Sequence, residues 1–310
     1  MKTKSLIIPI LCGCSAILFA SSFMIPASAQ SHSSGKGYRV DQDPFYAKSH
    51  IYVTWINVWN ASTENWWKKE DTKGIQYLFN GQWQSLDLNN LPMVHQICKE
   101  AKDAGIDVIV CDLTNGLRWE GACKEILKFC YENEMKMAVA INQYEKVEEY
   151  EAQAKSIWNA YVRPEAEYAS AYFYLNGKPL IVNYTWKESF DKTESARPTL
   201  EYGSKFIGTW ASGEDSQADK WGWQLESLIG PMPSGNAMFI TPSIANHKTE
   251  KSKDDWRKSM AWLDYTFAVA RQHHPKYYVV GSMDDVFERN GWLKADTTNA
   301  VEKSNIMRDI

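Results

Sequence analysis

Two carboxylates three residues apart, Asp285 and Glu288, lie in the run Gly281-Ser282-Met283-Asp284-Asp285-Val286-Phe287-Glu288-Arg289-Asn290-Gly291-Trp292. If the chain turns helically there, both carboxyls point the same way. Glycosidic cleavage needs such a pair, one carboxyl to protonate the leaving oxygen and the other to act as base or nucleophile. The bland alternative is a solvated helical face, or acidic residues favoured by a helix N-terminus. The pair follows an apolar run, Tyr277-Tyr278-Val279-Val280, and precedes Trp292, which puts chemistry on a par with the surface reading.

Polar and aromatic residues follow the other apolar runs of the chain as well. In order they are Asn57, Trp59 and Asn60; Asp112 and Asn115; Asn142 and Tyr144; Asn183, Tyr184 and Trp186; Trp210 and Glu214; Ser243, Asn246 and His247. Amides and carboxylates make the directional hydrogen bonds that sugar hydroxyls require, and flat indole or phenol faces pack on the apolar faces of pyranose rings. The chain carries 14 Trp, 16 Tyr and 11 Phe, more aromatic bulk than a core of Leu and Val needs. Trp59, Trp186, Trp210 and Trp292 are the first candidates for stacking platforms. Each has the alternative of filling a gap between sheet and helix, and Asp112 has that of a turn or helix cap.

The elements that must position these residues read as alternating strands and helices. Strands are expected at Ile51–Val58, Ile106–Cys111, Met135–Ile141, Lys178–Tyr184, Lys205–Trp210, Ala237–Thr241 and Tyr277–Val280. Helices are expected at about 89–104, capped by Asp87 or Asn89 and stopped by Gly105, and at 120–134, 146–162, 253–271 and 297–307. Asn176-Gly177 marks a hairpin turn. Strands apolar on both faces and separated by helices form a parallel sheet covered by helices. Seven strands are evident, and an eighth is expected within 71–85 or 221–229. No Gly-rich fingerprint follows the first strand, which disfavours a dinucleotide fold. The expectation is an α/β single-domain (β/α)8 TIM barrel over residues 45–310, preceded by an extended lead-in at 30–44. In such a barrel, function gathers at the C-terminal ends of the strands, where the residues above fall.

The 281–292 segment resembles the end-of-barrel motif of glycoside hydrolase family 71 (alpha-1,3-glucanases), in which Trp-Asn-Asp-aromatic-Gly-Glu-Ser follows the final strand. It is similar also to the related family 99 (endo-alpha-mannosidases and mannanases), where two glutamates have the same separation. Met283, Asp284, Val286, Phe287 and Arg289 stand in place of the motif's Trp, Asn, aromatic, Gly and Ser. Ala104-Gly105-Ile106-Asp107, Gly177-Lys178-Pro179 with its strand, and the strand ending at Trp210 extend the likeness over residues 50–300. The resemblance implies Glu288 as general acid and Asp285 as base. Asp285 would activate water in the family 71 manner, or deprotonate the sugar's own 2-hydroxyl in the family 99 manner. Trp59, Asn60, Asp112, Asn142, Tyr184, Trp186, Trp210, His247, Asp284 and Trp292 complete the candidate site as substrate contacts.

Other classes are disfavoured. A net charge of −4 and pI near 5.9 argue against a nucleic-acid binder with a basic surface. No G-x-S-x-G elbow, H-E-x-x-H or C-x-x-C spacing occurs, so neither a cofactor nor a metal is expected. Lys2 and Lys4, an apolar stretch from Leu6 to Ile25, and Ala27-Ser28-Ala29 form a secretory signal cleaved after Ala29. Its removal takes two lysines and no acid, moving the charge from −4 to −6. Leu11-Cys12-Gly13-Cys14 also resembles a lipoprotein box, and only a lipid on Cys14 would tie the protein to a membrane. The expected protein is a secreted or periplasmic monomer acting on a polysaccharide or oligosaccharide, with a non-catalytic glycan binder on the same barrel as the alternative. Cys98, Cys111, Cys123 and Cys130 are expected as buried thiols, with a disulfide from Cys98 to Cys123 or Cys130 as the other option.

Overall fold

All seven expected apolar runs form parallel strands of one curled sheet. The computed structural model describes residues 37–58, 75–114, 120–142, 144–211, 221, 233–234, 236–240, 260–283 and 295–297, all within the unit Ser33–Ile310. In chain order the first half holds β1 (Ile51–Ile56), β2 (Ile75–Phe79), β3 (Gln82–Ser85), α1 (Leu91–Asp103), β4 (Val108–Leu113), α2 (Glu120–Glu132), β5 (Lys136–Ile141) and α3 (Val147–Ile157). There follow β6 (Tyr174–Leu175), β7 (Lys178–Tyr184), α4 (Lys187–Ala196), β8 (Ile207–Ala211), β9 (Pro233–Ser234), β10 (Ala237–Ile240), α5 (Met260–His273), β11 (Tyr277–Ser282) and β12 (Ala295–Thr297). The parallel strands pair in the order β8-β7-β5-β4-β1-β11-β10. Chain order is therefore kept around the curl, and the last strands return to pair beside the first.

Period-two alternation sorts each strand between two apolar layers. Ile51, Val53 and Trp55 of β1 join Val108, Val110, Ala138, Ala140, Leu180, Val182, Phe239 and Val279 in one buried cluster on the inner face. The intervening Ile56, Ile109, Cys111, Met137, Val139, Ile141 and Ile181 pack instead with Val94, Ile97, Ala101, Ile126 and Leu127 of α1 and α2. Small Ala138 and Ala140 leave inner-face room for Trp55, whose indole N–H donates to the Trp221 carbonyl at 3.0 Å. Cys98, Cys111, Cys123 and Cys130 are all buried free thiols, so the simpler of the two cysteine readings holds.

Several boundaries differ from expectation for local reasons. Asn90 caps α1, its side chain accepting from Met93 N–H, whereas Asp87 caps the preceding turn by accepting from Asn89 N–H at 2.9 Å. The helix expected through Val162 is α3 continued by a π-helical turn, Trp158–Val162. Asn176 and Gly177 take φ values of +50° and +80°, the geometry of a tight hairpin between β6 and β7. Of residues 71–85, the described part, 75–85, does not join the parallel sheet. It holds β2 and β3, and β2 pairs antiparallel with β3 on one edge and β12 on the other in a separate three-stranded sheet. That sheet is seated on α1, where Tyr77 Oη donates to Glu100 at 2.6 Å and Gln96 Nε2 donates to the Leu78 carbonyl at 3.0 Å. The other candidate for the eighth strand, 221–229, lies outside the described residues except for Trp221. So does the first part of the helix expected from 253, while Thr297, expected to open the last helix, belongs to β12.

The N-terminal end of the sheet is closed by what sequence suggested was only a lead-in. Lys136 opens β5 on the inner face, and its side chain is 9% exposed against 13% for its partner Asp43, with Nζ to carboxylate 2.5 Å apart. Nζ also donates to the Ser170 carbonyl at 2.8 Å and lies 5.0 Å from the Tyr38 ring centre and 5.4 Å from that of Phe45. Burial pushes the Lys136 amine down, and the Asp43 partnership opposes that push. For Asp43, burial acts upward, but hydrogen bonds from Lys136, Tyr38 and the Phe45 N–H outweigh it and hold the carboxyl below its ordinary value. A carboxyl lowered on folding stabilises the fold above its unfolded pKa, and that contribution is lost as pH falls through 3.8 toward the lower folded value. Asp43→Asn is expected to destabilise the protein by about 3 kcal/mol at pH 7, because it leaves a buried ammonium without its counter-charge. Urea melts at neutral and acidic pH check this: the gap from wild type must narrow in acid, and an unchanged gap would assign the effect to something other than charge.

Candidate functional site

At the C-terminal ends of the strands the inner-face alternation continues but turns polar. On β4 the inward row Val108, Val110 ends in Asp112, which is 1% exposed. Cys111 pairs with Ile56, so the residue following β1, Asn57, also 1% exposed, comes beside Asp112. Asp112 pairs with Ala140, Ala140 with Val182, and Val182 with Thr209. One pleat further along, Asn142 follows β5, and Tyr184 pairs with Ala211 and packs against the inner cluster. Asn57, Asp112, Asn142 and Tyr184 thus come to one end of the sheet. Asp112 Oδ1 accepts from the Thr114 N–H at 2.7 Å, which is the turn-capping bond of the bland reading, made by a carboxylate that nonetheless sits on the inner face.

The aromatic candidates divide. Trp186, directly before α4, is 60% exposed and available as a platform. Trp210 alternates to the other side of β8, is 4% exposed, and lies nearly parallel to Phe190 of α4 with ring centres 6.3 Å apart. Its indole N–H donates to the Thr185 carbonyl at 2.9 Å. It therefore stands in the layer between sheet and helix, behind the polar row. Asn183 is likewise on the helix side, Nδ2 donating to the Ile181 and Thr209 carbonyls. Trp59, Asn60, His247, Asp284, Asp285, Glu288 and Trp292 lie outside the described residues.

Sequence reasoning passed over Thr185, which ties two strand-end loops together. Its hydroxyl donates to the Tyr144 carbonyl at 3.3 Å and accepts from the Tyr144 N–H at 3.4 Å. Together with the Trp210 bond, this links the ends of β5, β7 and β8 around Asn142, Tyr184 and Trp186. Tyr144 is itself buried, and burial pushes its phenol well up, so it is a neutral group there. The only sequence signal was a β-branched hydroxyl immediately after an apolar run. Nothing local shows that its partner stands 41 residues earlier.

Near the last strand, Met283 N–H donates to the Trp55 carbonyl at 2.8 Å. This bond anchors the end of β11 to β1 at the same end of the sheet. Among the described residues no group of three or more His, Cys, Asp or Glu is arranged to hold a metal ion. No helix among them is long and apolar enough to cross a membrane.

No family model and no curated protein matches the chain. Solved structures do. The GH99 endo-alpha-mannosidase from Bacteroides thetaiotaomicron, in complex with bis-tris-propane, superposes with a TM-score of 0.55 at 11% identity, over 84% of this chain and 95% of that one. A second structure of the same enzyme gives 0.55 at 10% identity over the same shares. The chain has a fold like that of family 71/99 glycoside hydrolases, as the 281–292 resemblance implied. What is common to them is the architecture.

Replacing Thr185 with Val should lower stability by about 1 kcal/mol and speed hydrogen exchange at the Tyr144 amide. Site-resolved exchange checks this, and protection equal to wild type at Tyr144 would show that the clamp does not hold the loop.

Proposed function

We propose that the protein is a secreted glycoside hydrolase that cleaves an α-linked polysaccharide or oligosaccharide on a closed (β/α)8 barrel. The observation that carries this reading is the superposition with the endo-alpha-mannosidase across nearly the whole of that enzyme. It is supported by the polar row at the strand ends and by the hold of Met283 N–H on the Trp55 carbonyl, after which 284–292 follow in sequence. The parallel run ends at β8 on one side and β10 on the other. In this reading Glu288 protonates the leaving glycosidic oxygen. Asp285 acts as base, either on water with inversion or on the sugar's 2-hydroxyl. Asp284 and Asp112 serve as further substrate contacts, and Trp59, Trp186 and Trp292 offer stacking faces.

Asp285→Asn and Glu288→Gln are each expected to lower turnover by about 10²-fold or more while retaining glycan binding. Reducing-end release across α-glucans, α-mannans and host glycans, with products followed by NMR, measures this. Variants that turn over like wild type would remove the two carboxylates from the mechanism. Wild type that binds without releasing reducing ends would identify a non-catalytic glycan-binding protein, a reading to which the motif departures at Met283, Val286, Phe287 and Arg289 lend weight. Export of the full chain should yield a product beginning at Gln30, read by intact mass. A lipid-modified product beginning at Cys14 would identify an anchored protein instead.

A further inference from the structure

The hairpin of β2 and β3 carries no charged side chain. Residues 75–86 hold no Asp, Glu, Lys, Arg or His, in a chain that is 23% charged. Asn80 and Gly81 make its turn with φ values of +50° and +76°, and Leu78 of β2 pairs with Trp83 of β3. Alternation gives this small sheet two unlike faces. Tyr77 and Phe79 are buried in the cluster that includes α1. Leu78 and Trp83 stand on the opposite face, where Leu78 is half-buried and Trp83 is 46% exposed. Ser85, two residues along the same face, and Asn80 in the turn are exposed as well. Of the seven tryptophans among the described residues, only Trp83 and Trp186 are exposed. Trp186 stands at the strand ends, whereas Trp83 belongs to the separate sheet, on its edge strand β3. A lone exposed apolar side chain is ordinary. An edge strand, however, is usually protected by charged residues, and this one presents a Trp among amides and a hydroxyl instead.

We propose that the outer face of this hairpin is a second glycan-binding surface, centred on Trp83, that holds a neutral polysaccharide apart from the strand-end site; this rests on the glycan reading above. The exposed indole offers a flat platform for the apolar face of a pyranose ring. The Ser85 hydroxyl and the Asn80 amide both donate and accept, which suits the hydroxyls that rim such a ring. The absence of charge along residues 75–86 matches an uncharged polymer and gives no attraction to an acidic or basic partner. One open platform suits a repeating chain, which presents the same ring many times, better than a single sugar. Two contacts on one polymer raise its retention through effective concentration, without altering the chemistry at the strand ends.

The test compares Trp83→Val, which keeps strand preference and removes the flat ring, with Trp83→Tyr, which keeps an aromatic face. The full-length protein is titrated with α-mannan and α-1,3-glucan as polymers and with trisaccharides of each, and its oligomeric state is measured in parallel. Trp83→Val is expected to hold the polymer it binds about five- to tenfold more weakly, the loss of one aromatic contact. Its trisaccharide binding and turnover are expected to equal wild type, and Trp83→Tyr is expected to hold the polymer like wild type. Polymer binding by Trp83→Val equal to wild type overturns the assignment and leaves the glycan reading standing. An equal loss for trisaccharides overturns it too, because Trp83 would then belong to the strand-end site. A loss as large in Trp83→Tyr overturns it by tracing the effect to the hairpin rather than the ring. Wild type that dimerises where Trp83→Val stays monomeric assigns the face to a second copy of the chain and overturns it. Wild type that binds no polymer and no trisaccharide overturns the glycan reading and this assignment with it.

Discussion

A parallel sheet that curls and is covered by helices has to bury both of its faces at once, and most other features of this structure follow from that constraint. Each strand must offer apolar side chains at every position, yet successive positions enter different layers. The inner layer is confined by the curl, so Ala138 and Ala140 stand within the cluster that also holds Trp55 and Phe239. The outer layer receives the larger complement of α1 and α2 and takes Ile109, Met137, Val139 and Ile181. A shift of one residue in any strand would exchange these sets and put Trp55 where a helix packs.

The same constraint explains why polar residues collect at the ends of the inner face. At the N-terminal end, Lys136 occupies an inward position that the pattern would fill with an apolar residue. Its charge is met by Asp43, Tyr38, a backbone carbonyl and aromatic rings brought in by the segment before β1. That end is thereby sealed by structure. At the opposite end the inward positions become Asn57, Asp112 and Thr209, and β7 ends in Tyr184, whose ring still packs on the inner cluster. The loops there are joined through Thr185 and Trp210. Polar groups seal one end and line the other.

At 10–11% identity to the endo-alpha-mannosidase, what the two chains have in common is an architecture. Such an architecture needs apolar strands of period two and amphipathic helices of period 3.6 more than it needs particular residues. This is why strand positions were readable where individual roles were not. Trp210 illustrates the difference. It follows the same apolar pattern as a strand-end platform would, but one step of alternation turns its indole to Phe190 and the Thr185 carbonyl.

The amino-acid sequence by itself determined the seven parallel strands, the helices between them and the end of the sheet at which Asp112, Asn142 and Tyr184 stand. These depend on periodicity within a few residues, which any stretch carries on its own. Tertiary structure alone decided that β2 and β3 stand apart from the curled sheet on α1, that Lys136 meets Asp43 across 93 residues, and that Thr54 reaches Gly281 across 227. A side chain's type and face are local properties, but its partner is set by which distant strand the curl brings beside it.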